Sequence, residues 1–140
     1  MSRHLSRPRI GRRGSTLVEF ALVALLFCLL LMSFVEFGRM LLVYNSVANA
    51  ARIGVRYAIV HGDGGGTRTP VTTADIITIV RDFAGSAPLN PASLVVNVTR
   101  PSGAIGSQVS ITVVYPYDPL VAYFPLSVNL SSVSAGRIAF

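Results

Sequence analysis

From Leu17 to Val35 the chain reads LVEFALVALLFCLLLMSFV, nineteen residues in which Glu19 is the only ionisable group and Ser33 the only other clearly polar one. As a helix, that length crosses the hydrocarbon core of a bilayer, and the run is expected to do so. The whole chain agrees: 51% of its 140 residues are apolar and its mean hydropathy is +0.59, too high for one ordinary soluble domain. The single cysteine, Cys28, lies inside the run. Without a partner it predicts no intrachain disulfide and no metal site.

The formal charge of +6 suggests nucleic-acid binding only until it is located. Arg3, Arg7, Arg9, Arg12 and Arg13 precede Gly14, and the other seven arginines face six acids, a net of +1. A duplex-binding surface needs cations spread over a folded face; here they crowd a short tip, so no nucleic-acid partner is expected. Basic residues ahead of an apolar run predict a cytoplasmic N-terminus and an exported C-terminal part. A cleavable secretory signal is the rival reading, with Ala48-Asn49-Ala50 as its cleavage motif. The run is long for such a signal, and the motif lies beyond it, past Glu36 and Arg39.

Around the start of the run stands Arg12-Arg13-Gly14-Ser15-Thr16-Leu17-Val18-Glu19-Phe20. Arg12 and Arg13 can hold Gly14 at the inner headgroup layer, and glycine can present an extended peptide bond to a membrane peptidase. An ionised carboxylate in hydrocarbon costs about 3 kcal/mol at the bilayer centre and calls for a named partner. Cleavage after Gly14 would supply one. The new amine on Ser15 and the Glu19 carboxylate are four residues apart on one helix face, and Glu19 can equally reach the amine of a neighbouring subunit. The alternative is an interfacial glutamate that merely snorkels.

This string resembles the cleavage site of type IV pilin-like precursors, and more closely that of TadE-like pseudopilins of the tight-adherence (Flp) pilus system. Val35-Glu36-Phe37-Gly38-Arg39 and the stretch from Ala48 to Ala58, ANAARIGVRYA, are similar to two further stretches of that family. The resemblance covers residues 12–60. It implies cleavage between Gly14 and Ser15 by a prepilin peptidase, with Glu19 at mature position five. The implied partners are other pilin or pseudopilin subunits, an inner-membrane pilus assembly platform and the lipid bilayer. The implied location is the inner membrane, single-pass. Phe20 stands where major pilins of the system usually carry tyrosine, which with the exported domain points to a minor subunit.

Helical periodicity continues past the membrane. Phe34, Phe37, Leu41, Tyr44, Ala48, Ala51, Val55 and Ala58 alternate three and four apart, a heptad-like seam for the chain's own C-terminal domain or for another helix. If Ser15 to Val60 is one helix, it is roughly 69 Å long. Gly38 and Gly54 either bend it or admit close helix contacts. The glycine run after His61 ends it. Thr73 is expected to cap a short helix from Ala74 to Ala84, with Ile76, Ile79, Val80 and Phe83 as its buried stripe and Gly85 as its stop. Period-two patterns at Leu94–Thr99, Gln108–Tyr115 and Leu126–Ile138 predict a small antiparallel sheet. The expected architecture is therefore α+β and pilin-like: a leader at 1–14, a transmembrane helix at 15–38, an amphipathic extension at 39–61 and an exported domain at 62–140. That last part is small enough to lean on the long helix.

No catalytic constellation stands out. His4 lies in the leader and His61 beside the glycine run, which leaves no base for a hydrolase triad. Asp63, Asp75, Asp82 and Asp118 lack the spacing of a calcium loop or an acid pair, and the glycine run lacks the GK[ST] ending of a phosphate loop. No cofactor and no enzymatic activity are expected. Tyr115-Pro116-Tyr117 and Tyr123-Phe124-Pro125 are read either as an aromatic contact surface or as a loop packed over the sheet. The competing functional reading is a single-pass anchored adhesin or interaction domain that keeps its N-terminus and does not polymerise.

Overall fold

The computed structural model describes residues 12–62, 71–120 and 127–139, with Arg12 and Arg13 as backbone only. The leader before Arg12, the run from Asp63 to Gly66, the Tyr123-Phe124-Pro125 triplet and the expected strand start at Leu126 lie outside the described residues. The elements are α1 (Arg12–His61), α2 (Thr73–Ser86), a 3-10 turn (Pro91–Ser93), β1 (Val95–Thr99), β2 (Gln108–Tyr117) and β3 (Val128–Arg137). A long N-terminal apolar helix, a shorter helix and a three-stranded antiparallel sheet make the α+β class that the sequence implies. The chain divides into two compact units, Met1–Val35 and Glu36–Phe140.

In the first unit α1 carries exposed leucine, valine and phenylalanine on every side from Leu17 to Val35. An all-round apolar helix suits lipid rather than a one-sided protein core. The hydroxyl of Ser33 donates to the Leu29 carbonyl at 2.8 Å, so it needs no water inside a membrane. Glu19 therefore carries most of the run's polar cost.

The second unit has one core. α1 buries Val43, Val47, Ala50, Ala51, Val55 and Ala58 there. Of the expected seam, Ala51, Val55 and Ala58 lie on this stripe and Ala48 is half-buried. Phe34, Phe37, Leu41 and Tyr44 are exposed. The buried stripe at Val43 and Val47 is one position, about 100°, round the helix from Tyr44 and Ala48. Small side chains let a helix come close to a sheet, which favours the Val/Ala stripe over the bulky one. At Gly54 the approach is closest: a Cβ there would stand 2.7 Å from Val80 Cγ2 and 3.0 Å from Ile111 Cδ1. On the β3 side, a Cβ on Gly136 would overlap Ile59 Cδ1.

α2 differs from expectation at both ends. Thr72, not Thr73, is the N-cap: the Asp75 N–H donates to Thr72 Oγ1 at 3.2 Å and the Thr72 N–H donates to Asp75 Oδ2 at 2.9 Å. This is a reciprocal capping box, and only a cap at Thr72 places an acid three residues on. Gly85 does not stop the helix, which runs to Ser86. Ala87 is extended, at φ −103° and ψ 169°, and precedes Pro88, which disfavours helical backbone before it. The buried residues are Ile76, Val80 and Ala84, with Ile79 and Phe83 half-buried or nearly so.

The sheet is a meander, β1-β2-β3, antiparallel throughout. On central β2, Val109, Ile111, Val113 and Tyr117 are buried and Tyr115 is half-buried. Val96 and Val98 of β1 pair with Val113 and Ile111 and share that inner face. β1 begins at Val95, one residue late, because Leu94 closes the 3-10 turn. β2 continues two residues past Tyr115, through Pro116. Pairing with β1 stops at Val95 and Val114, so β2 has an open edge there and the missing N–H of proline is tolerated. That extension places Tyr117 at the end of the strand.

Candidate functional site

The processing segment comes first along the chain. Gly14, Ser15, Glu19 and Phe20 all lie on α1 and are exposed, Phe20 at 72%. The helix begins at Arg12, so the Gly14–Ser15 bond is helical rather than extended. Its place in the first turn keeps unwinding cheap, because the leading N–H groups have no carbonyl to lose, and Gly14 is a poor helix former. A Cβ on Gly14 would meet nothing within 4 Å, and both Gly14 and Ser15 are exposed. Glu19 follows Ser15 by four residues on the same helix, which keeps the two on one face. Among the described residues no group pairs with the Glu19 carboxylate.

A second cluster lies just after the apolar run. Glu36 accepts a hydrogen bond from the Tyr117 hydroxyl on Oε1 and one from the Leu120 N–H on Oε2, the latter at 3.2 Å. Arg39, one turn on, brings Nη1 to 3.8 Å from Glu36 Oε1 and sets its guanidinium 5.1 Å from the centroid of the Tyr117 ring. The Arg39–Glu36 distance is an ion pair without a hydrogen bond; with Arg39 partly exposed, it adds little stability. The charge-assisted bond to buried Tyr117 is the stronger link. Burial first, and then the bond to the Glu36 carboxylate, push the Tyr117 hydroxyl above its usual phenolic pKa. The tyrosine is thus held as a neutral donor.

The sequence marked Glu36 and Arg39 only as part of a family-like stretch, and Tyr117 only as an aromatic. The bond that joins Glu36 to Tyr117 spans 81 positions. A lone acid directly after an apolar run was the available signal, since such an acid needs donors. Among the described residues no group of three or more His, Cys, Asp or Glu side chains could hold a metal ion.

α1 is the one helix among the described residues that is long and apolar enough to cross a membrane, which suggests a single-pass membrane protein. No curated protein and no solved structure matches the chain significantly. Residues 14–56 match the family model described as TadE-like protein. That span begins at the predicted cleavage glycine and takes in Glu19, Glu36 and Arg39. The helix bearing both clusters is thus TadE-like in sequence, consistent with a TadE-like protein of the Tad (Flp) pilus system.

Proposed function

We propose that the chain is a minor pseudopilin of a Flp/Tad-type adhesive pilus, matured by a prepilin peptidase between Gly14 and Ser15. It acts through helix packing and not through catalysis. One observation carries this reading: within the TadE-like match, an exposed acid stands one helical turn after Ser15 in the otherwise apolar run of α1. Cleavage turns the Ser15 nitrogen into a cation beside that acid. The pair then stabilises the carboxylate within one subunit or sets axial register between two, a use for which polar groups in apolar helix interfaces have precedent. In this reading the N-terminus is cytoplasmic, residues after Val35 are exported across the inner membrane, and the partners are pilin-type subunits and the membrane assembly platform.

The intact mass of the membrane form decides it. The fibre subunit starts at Ser15, whereas an unprocessed anchored adhesin retains residues 1–14. Retention in cells that possess the peptidase would exclude the pseudopilin reading.

A further inference from the structure

We propose that the short turn at residues 118–120, directly after β2, is a second membrane contact, seated in the headgroup layer on the exported side of the bilayer that the Leu17–Val35 run crosses. The inference rests on that run being membrane-spanning. Nineteen helical residues measure about 28 Å, close to the roughly 30 Å of hydrocarbon in a bilayer. Glu36, the next residue, therefore stands at the edge of the hydrocarbon. Its carboxylate holds the Leu120 N–H at 3.2 Å and the Tyr117 hydroxyl, so the backbone of the turn is fixed one side chain's length from that edge.

The groups gathered there suit lipid. Leu120 is 67% exposed and Phe37, directly after Glu36, is 59% exposed. Leucine and phenylalanine are side chains that interfacial segments bury at the headgroup–acyl boundary. Arg39 lies about 4.5 Å further along the helix than Glu36. Its Nη1 is turned inward, while the side chain as a whole is 39% exposed. A guanidinium at that level complements lipid phosphates. Exposed Asp118 limits the depth, since a carboxylate stays in headgroup water. The contact is with headgroups and the uppermost acyl carbons.

The test uses the full chain in phosphatidylcholine and phosphatidylglycerol vesicles at low protein-to-lipid ratio. An environment-sensitive fluorophore is placed on native Cys28 or, in a Cys28→Ser background, on Leu120→Cys. Quenchers are a lipid nitroxide near the headgroup, a lipid nitroxide deep in the acyl chain, and aqueous iodide. The proposal expects the deep nitroxide to quench position 28, and the shallow nitroxide to quench position 120 several-fold more than the deep one. Position 28 deep with position 120 quenched by iodide alone, or shielded from all three by another protein surface, overturns the seat and leaves the span intact. Position 28 unquenched by the deep nitroxide overturns the span and the seat together. Adding Glu36→Ala, which removes the acceptor of both bonds, should raise iodide quenching at position 120 several-fold; unchanged quenching would overturn the role of the Glu36 link in placing the turn.

Discussion

Tyr117, the last residue of β2, donates its hydroxyl hydrogen to Glu36 on α1, 81 positions earlier. The bond joins the end of the sheet to the point where the long helix leaves its apolar run. Removing it should cost about 1.5–3 kcal/mol, the usual worth of a hydrogen bond to a charged group. Tyr117→Phe is therefore expected to lower the urea midpoint of the detergent-solubilised protein. In a double-mutant cycle, Glu36→Gln should lose most of its own effect in the Tyr117→Phe background. Full additivity would mean that the bond contributes nothing.

The same pair sets an alkaline limit. The folded pKa of Tyr117 is raised, so its contribution is present below the unfolded value of about 10 and is lost as pH climbs through the folded value. Thermal unfolding should show this loss above pH 10 in the wild type and a smaller one in Tyr117→Phe. Equal slopes would contradict it.

At the acid end the capping box has the opposite sign. Hydrogen bonds from Thr72 hold the Asp75 carboxyl below its ordinary range. Its contribution is present above the unfolded value of about 3.9 and is lost as pH falls through the folded one. Asp75→Asn should flatten the acid limb of the stability profile without moving the alkaline limb.

Two glycines of α1 should respond oppositely to alanine. At Gly38 a Cβ meets nothing, and Gly38→Ala should gain up to about 1 kcal/mol from helix propensity. At Gly54 the new Cβ presses on Val80 and Ile111; the overpacking, about 1–3 kcal/mol, should outweigh that gain. Melting temperatures of the two variants should fall on either side of the wild type.

For the proposed maturation, Gly14→Val should block processing and leave the precursor in the inner membrane. Glu19→Ala should be processed nearly as fully as wild type yet lose piliation. Immunoblots for the mature form and counts of surface pili report the two steps separately. Wild-type piliation with Glu19→Ala would remove the assembly role.

What the sequence alone determined is local. A nineteen-residue apolar run holding one acid, the glycine after two arginines, and the alternation of Val109, Ile111 and Val113 each follow from composition or short-range periodicity, and they define the long helix, the TadE-like segment and the sheet. The tertiary structure decided where the buried face of α1 leaves the expected seam: the two share Ala51, Val55 and Ala58, but nearer the apolar run Val43 and Val47 are buried and Leu41 and Tyr44 are exposed, although both faces have helical spacing. It also decided the fate of Glu36. Pro116 reads as a strand end along the chain, yet β1 stops short and leaves an open edge where proline fits, so the strand carries Tyr117 onward to an acid that no local pattern could have paired with it.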